Sequence, residues 1–367
     1  MNLYIFNETR RGTVFGIGTY IRELTAALKD NDINICVVNM DSDKPQIQTE
    51  ETDGIRQWYF PKVIADQQTT DNQKQWKLYY RNIVYLLRLR VKDQKDLIFH
   101  LNYCQNSSIV DELKSAFVCR IVSVVHFPGW DHTVYDNLPL FRNILNDDHP
   151  DNFGENVKKT VEAEKLYYIK VDRMICLSDY MKEILCRDYG LDMNRISVIP
   201  NGLQDVLIYN EEKIDRNFLR KRWNISPQEK IILFVGRVDE IKGVIYLIKA
   251  FREVLKINRR CRLIIAGRGN YDICFQEAND ICSKIIFTGL LEKKDLFEIY
   301  QIADVGVIPS LFEPFGFVAV EMMMHSLAIV ATATSGLNEV VDDTCGLKIP
   351  LTLQSETVEI DTTLLAE

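Results

Sequence analysis

The feature that most constrains this chain is a recurrence of short, unbroken runs of Ile, Val and Leu, many of which stop at Gly, Ser, Asn or His. In the first half they are LYIFN (3–7), INICVVNM (33–40), LIFHLNY (97–103), RIVSVVH (120–126), RMICLS (173–178) and ISVIPNG (196–202). In the second half they are IILFVG (231–236), RLIIAG (262–267), KIIFTG (284–289), VGVIPS (305–310) and AIVAT (328–332). A strand with one wet face alternates apolar and polar residues; a run without alternation is buried on both faces, as in a parallel sheet covered by helices. Helical spacing fills the gaps, as in Ile17, Ile21, Leu24 and Leu28, and in Val244, Leu247, Ile248, Phe251 and Leu255. Strand and helix alternate in both halves, which predicts an α/β chain of two Rossmann-like, doubly wound domains.

With 367 residues the chain has room for both. The polar stretch 203–230 sets the boundary, giving an N-terminal domain over 1–205 and a C-terminal domain over 206–367. No internal repeat relates the halves. Residues 41–75 are polar and are expected to form a long surface excursion. CGLKIP (345–350) reads as a last strand, and DTTLLAE (361–367) opens a helix with Asp361 as its N-cap. The sequence stops within that helix, so a final helical segment over the second sheet is expected to be missing.

Composition excludes several classes. A net charge of −8 argues against a bulk nucleic-acid binder. The nine cysteines form no CxxC pair and mostly sit in apolar runs, so they read as reduced core thiols, with no disulfide framework or zinc site. The N-terminus does not resemble a signal peptide, and no run reaches the roughly 18 apolar residues of a spanning helix. A cytoplasmic enzyme is the expectation. For WKLYYRNIVYLLRLRVK (76–92) two readings stay open: a surface helix packing its apolar face on the sheet, or a basic, aromatic interfacial helix at the inner membrane face.

Two segments carry chemistry. In FVGRVDEIKG (234–243) a buried strand ends at Gly236, and Arg237 and Lys242 follow where a strand delivers its loop to the ligand crevice of an open α/β sheet. A guanidinium fork and a mobile ammonium suit a diphosphate; a solvated loop salt-bridged through Asp239 and Glu240 is the plainer alternative. In SLFEPFGFVAVEMMMHS (310–326) a strand, a loop and a helix follow one another, with Glu313 before the helix and Glu321 within it. The amides of Phe315, Gly316 and Phe317 fall at the helix N-terminus, which favours anions, and Gly316 admits close approach of a ligand to the backbone. As the acid and base of a glycosidase the two glutamates are disfavoured only weakly by their spacing. As acceptors for sugar and ribose hydroxyls on either side of an anion cradle, they suit a nucleotide-diphosphate sugar. In the first half, FGIGTYIREL (15–24) opens a helix after the first strand, with Gly16 and Gly18 suited to a tight turn and no third glycine of a dinucleotide fingerprint. His126 ends the strand RIVSVVH.

GRVDEIKG followed by EPFGFVAVE resembles the retaining GT-B glycosyltransferases of family GT4, with their E-x7-E signature, and the likeness extends from FGIGTY to GLKIP. The resemblance implies two Rossmann-like domains facing across a cleft, with the acceptor mainly on the first and the donor mainly on the second. It implies transfer of a sugar from a UDP- or GDP-linked donor to a glycan or lipid-linked acceptor hydroxyl, with retention, without a cofactor and without an essential metal. It assigns Glu321 to the ribose, Glu313 to the donor sugar, Arg237 and Lys242 to the diphosphate, and Phe315, Gly316 and Phe317 to backbone contacts. Gly18 and Gly236 would line the nucleotide site, and His126 the sugar and acceptor side. Ser178 and Asn201 would shape the hinge wall. Bacterial surface-glycan or glycolipid assembly is the implied setting. The alternative is a weak or inactive GT-B protein that binds sugar nucleotides or scaffolds a partner. Cys104 would be a nucleophile only with a base partner, and Asp147–Asp148 and Asp342–Asp343 read as solvated loops.

Overall fold

Each unbroken apolar run becomes a strand with parallel neighbours. The computed structural model describes residues 1–9, 16–62, 72–93, 95–102, 107–205 and 215–367. They divide into two compact units, one of Met1–Trp130 with Ile144–Gly202, the other of Asp131–Asn143 with Leu203–Glu367. The boundary near 205 is thus joined by an earlier crossing, in which residues 131–143 group with the second unit.

The first unit carries strands β1 (Asn2–Glu8), β2 (Asn34–Ser42), β3 (Gln48–Thr52), β4 (Ile55–Pro61), β5 (Leu97–Leu101), β6 (Cys119–Val125), β7 (Arg173–Cys176) and β8 (Ile196–Val198). Their order in the sheet is β3-β4-β2-β1-β5-β6-β7-β8, so the winding reverses between β1 and β5. Helices α1 (Gly16–Leu28), α2 (Asn72–Arg88), α3 (Ser108–Ala116), α4 (Asp131–Val134), α5 (Leu138–Asn146), α6 (Asn152–Tyr168) and α7 (Asp179–Arg187) follow in chain order, with α4 and the larger part of α5 lying in the second unit's segment.

The expected surface excursion over 41–75 is corrected for residues 48–61, while 63–71 lie outside the described residues. β3 and β4 form an antiparallel hairpin that extends the sheet through β2. Its two-residue turn is Asp53–Gly54, both at positive φ (54° and 78°). Such a turn matches the twist of paired strands, and Trp58 and Phe60 on β4 are buried. The apolar face of α2 is buried as well, through Tyr80, Ile83, Val84 and Leu87.

The second unit has β9 (Lys230–Val235), β10 (Cys261–Ala266), β11 (Ile285–Gly289), β12 (Val305–Ile308), β13 (Ala328–Thr332) and β14 (Gly346–Ile349), ordered β11-β10-β9-β12-β13-β14. Its helices are α8 (Arg216–Arg222), α9 (Val244–Ile257), α10 (Asp272–Glu277), α11 (Lys293–Ile302), α12 (Phe317–Met324), α13 (Leu337–Val340) and α14 (Thr362–Ala366). β14 is not the last strand: β15 (Leu351–Leu353) and β16 (Val358–Ile360) make a small antiparallel pair after it. Asp361 caps α14 by accepting from the amides of Thr363 and Leu364. Apolar clusters lie on both sides of the sheet, one centred on Leu233, Ile299 and Met322, the other on Phe234, Leu247 and Phe251.

The winding of this sheet reverses between β9 and β12, and these two strands pair at only two positions, Val305↔Ile232 and Gly306↔Leu233. Beyond those rungs they part, which opens a crevice at their carboxyl ends. Asp304 pins the other end. Its carboxylate accepts from the Ile231 amide (2.8 Å) and pairs with Arg220 (3.2 Å) and Arg216 (3.1 Å). The Arg220 side chain is only 6% exposed. Removing its carboxylate partner leaves a buried guanidinium short of an anion, so Asp304→Ala should cost roughly 3 kcal/mol in urea unfolding; a loss near zero would show that the clamp is dispensable.

Candidate functional site

At the switch point of the second sheet, the loop after β9 and the loop after β12 meet through three successive contacts. Gly243 sits at φ 66° with its α-carbon against the Pro309 carbonyl; a β-carbon there would lie 1.8 Å from that oxygen, so only glycine fits. The Leu311 amide donates to the Ile241 carbonyl (2.8 Å). The Lys242 ammonium pairs with Glu313 Oε2 at 2.5 Å, with both side chains less than one-fifth exposed. Lys242 is placed by a short 3₁₀ turn (Glu240–Lys242), which Asp239 caps by accepting from the Lys242 amide. Arg237 projects from the same loop and pairs with Asp239 at 3.1 Å.

The β12 loop runs into α12 through Gly316, at φ 96°. The first intrahelical bond is Ala319 N to Gly316 O (3.0 Å), so the amides of Gly316, Phe317 and Val318 form the open N-terminal turn. Phe315 is buried, and its ring meets that of Phe317 edge-on at 5.5 Å. Glu321 lies on α12, where its Oε2 accepts from the buried Tyr300 hydroxyl on α11 (2.7 Å). Burial, reinforced by Glu321, lifts the Tyr300 hydroxyl well above its ordinary range, which keeps it a donor. His325 Nδ1 lies 2.8 Å from the Glu321 carbonyl oxygen, and its ring stacks on Tyr300. Gly236 follows β9, but its amide is taken by Ala266 O (2.9 Å).

Two sets of residues here escaped the sequence reading. The first is a hydroxyl ladder after β13. Thr332 donates to Ser310 O, Thr334 to Leu311 O (3.1 Å) and Ser335 to Glu313 O (2.8 Å), while Ser335 also accepts from the Glu313 amide. These side chains continue, rung by rung, the pairing that β12 and β13 begin. The second set comes from residues 131–143. Asp136 accepts from the Ser335 amide and shares the single Thr334 hydroxyl proton with Leu311 O, both contacts to Asp136 being 3.0 Å. Tyr135 packs against the cluster of Leu311, Ile349, Val358 and Ile360, and burial together with the nearby Glu240 carboxylate raises its hydroxyl. Asp131 is buried and faces Lys242 and Arg237; burial raises its carboxyl, while His132 and those two cations pull it down. Only the Thr-Ala-Thr-Ser pattern offered a signal for any of this.

The first unit has a polar cluster of its own at the β1–β5 switch point and the end of β6. His126 Nε2 lies 3.0 Å from Asn102 Oδ1, and its ring meets Tyr20 edge-on. The Tyr20 hydroxyl lies 3.2 Å from His100 Nε2, and Asn102 donates to Phe6 O (2.9 Å). Gly16 and Gly18 form the first turn of α1, in helical rather than tight-turn conformation. Burial lowers His126 to about 3, with His100 adding to the effect, and lowers His100 to about 4 against a smaller, opposing effect of Asn102. Both imidazoles are therefore neutral near pH 7. An unfolded chain would titrate them near pH 6.5, so it binds more protons than the native state below that value, and stability falls as pH falls. Between pH 6 and 5 each histidine should remove roughly 1 kcal/mol per pH unit. Urea unfolding at both pH values checks this, and His126→Asn should flatten the slope.

Other candidates resolve into structure. Ser178 caps α7 by accepting from Met181 N, and Asn201 Oδ1 is buried without a partner. Asp147 and Asp342 close local turns onto His149 and Thr344. Cys104 lies outside the described residues. Among the described residues no cluster of three potential metal ligands occurs, the cysteines are unpaired, and no helix is long and apolar enough to cross a membrane.

Two doubly wound parallel sheets in one chain, with paired loops at the switch point of the second, define the GT-B class of glycosyltransferase folds. Residues 14–205 match the family model described as Glycosyltransferase Family 4, and residues 215–353 match Glycosyl transferases group 1. The first match spans more than half of the sequence, and the chain belongs to glycosyltransferase family 4. It is similar to an uncharacterized glycosyltransferase, MJ1607, of Methanocaldococcus jannaschii, at 36% identity over 52% of this chain and 49% of that protein. It is also similar to mannosylfructose-phosphate synthase of Agrobacterium fabrum, at 31% identity over 50% and 42% respectively. The chain thus spans about half the length of the curated relatives it matches. Among solved structures, sucrose-phosphate synthase from Thermosynechococcus elongatus shares the fold with a TM-score of 0.73 at 20% identity, covering 100% of this chain and 88% of that one. Anabaena Alr3699/HepE in complex with UDP-glucose does so with a TM-score of 0.67 at 15% identity, covering 100% and 88%.

Proposed function

We propose that this chain transfers a sugar from a nucleotide-diphosphate sugar to an acceptor hydroxyl, with retention of anomeric configuration. The observation that carries the reading is the meeting of the two switch-point loops, which brings Lys242 and Glu313 together beside Arg237 and the open turn of α12. Arg237, Lys242 and the amides near Gly316 would take the diphosphate. Their attraction is strongest when the leaving group carries its full charge, so they stabilise the transition state more than the bound donor. Glu321 would accept the ribose hydroxyls and Glu313 those of the sugar, with Tyr300 fixing the Glu321 carboxylate. His126, neutral and buried, would act as a hydrogen-bonding group toward hydroxyls and not as a charge. A UDP- or GDP-linked donor fits; UDP-glucose is the ligand in the HepE structure that shares this fold. No cofactor is invoked.

Lys242→Ala and Glu321→Ala should each lower turnover roughly a hundredfold with the circular dichroism spectrum unchanged. A thermal-shift screen over UDP- and GDP-sugars should identify the donor, since ligand at about 100 times Kd adds about 2.7 kcal/mol to native stability. Full activity in both variants would remove the assignment. Donor binding without transfer or hydrolysis would favour the alternative of a sugar-nucleotide-binding scaffold.

The acceptor side has one pointer. α2 leaves Leu78 and Tyr85 exposed (57% and 61%), with Leu89 just beyond it, and Lys77, Arg81 and Arg88 on the same solvent side. Apolar side chains interleaved with cations suit an anionic lipid surface, so a lipid-linked acceptor at the inner membrane face is the favoured class. Sedimentation with phosphatidylglycerol vesicles should pull the protein down. Arg81→Glu with Arg88→Glu should abolish that, whereas equal recovery of wild type and variant counts against a membrane acceptor.

A further inference from the structure

The loops fix the backbones of Lys242 and Glu313 but leave their side chains free to exchange partners. The Glu313 amide and carbonyl are both held, by Ser335 Oγ (2.9 Å) and by the Leu337 amide (3.0 Å). Lys242 is held by the Asp239 cap and by Gly243, which has no room to shift against Pro309. Their ion pair, at 2.5 Å and 18% and 17% exposed, occupies the ammonium that a diphosphate would need. Arg237 is likewise engaged by Asp239, and Asp131 faces both cations. The cations of this anion site are thus already neutralised by the protein's own carboxylates.

We propose that Glu313 is a specificity-determining exchange residue, which pairs with Lys242 in the empty site and moves to the sugar hydroxyls when a donor binds, so that the site selects sugar nucleotides over bare nucleoside diphosphates. This rests on the donor reading above and adds to it a reason for discrimination. A diphosphate that captures Lys242 leaves a partly buried carboxylate without its cation, which is costly unless new donors replace it. A sugar carried on the diphosphate supplies those donors as hydroxyls; a bare nucleoside diphosphate, whose ribose hydroxyls go to Glu321, supplies none to Glu313. Selection therefore comes from a penalty placed on the wrong ligand as much as from attraction to the right one. The same penalty weakens the hold on the leaving nucleoside diphosphate, which favours its release.

Calorimetry tests this with inorganic pyrophosphate, UDP, GDP, UDP-glucose and GDP-mannose, against wild type, Glu313→Gln, Lys242→Met and the double variant. Glu313→Gln should bind pyrophosphate and the preferred nucleoside diphosphate about tenfold more tightly than wild type, the factor given by about 1.4 kcal/mol. The advantage of the sugar nucleotide over its diphosphate should shrink by a similar factor. In the Lys242→Met background the Gln substitution should give no gain, because the competing pair is already gone. Glu313→Ala replaces the Gln variant if the latter does not melt cooperatively. Unchanged or weaker diphosphate binding in the Glu313 variants, with wild type still binding sugar nucleotide, overturns the exchange and leaves the donor reading standing. Silence of every protein toward all five probes sinks the donor reading, and the exchange with it.

Discussion

The arrangement depends on one constraint: β9 and β12 are neighbours that must part. Because the winding of the sheet reverses between them, the helices that follow them are sent to opposite faces, which leaves a gap at their carboxyl ends. Two backbone rungs and the Asp304 clamp hold the lower ends together. Above them the loops are free of the sheet and find each other instead, through Gly243, Ile241 and Lys242 on one side and Pro309, Leu311 and Glu313 on the other. Charged side chains are concentrated there because the sheet cannot close there.

Electrostatics then sets the character of the gap. Two cations, three carboxylates and the positive end of α12 share a small, partly buried volume, with Asp239, Glu313 and Asp131 each addressing a cation. Such a cluster is stable without ligand, since each cation has a carboxylate partner, yet each pair can be reopened by a competing anion. Glu321 is held apart from this balance by an uncharged phenol, so its carboxylate stays an acceptor for hydroxyl groups.

Most of the strands were legible because burial on both faces demands uniform apolar runs, and every run quoted became a parallel strand. The places of Arg237, Lys242, Glu313 and Glu321 in the fold were legible because strand exits and helix starts are readable signals. Three things were not. The β3–β4 hairpin was hidden by its polar composition, although Asp53–Gly54 between extended segments was its mark. The hydroxyl ladder of Thr332, Thr334 and Ser335 looks like an ordinary polar loop in one dimension. Asp131, Asp136 and Tyr135 could not be assigned, because their partners lie far along the chain, at 237–242 and 334–335, and spacing carries no information about such contacts.

That last group bears on how such proteins can be recombined. The second unit is not a contiguous stretch of sequence, because it borrows a short insert from the middle of the first. A chimaera that joins two relatives at a single seam near residue 205 would pair one parent's Thr334–Ser335 turn with the other parent's counterpart of Asp136. The two would meet as strangers at the loop that carries Glu313. Modularity in this chain therefore has two seams, and a graft that respects both keeps the whole second half as it evolved.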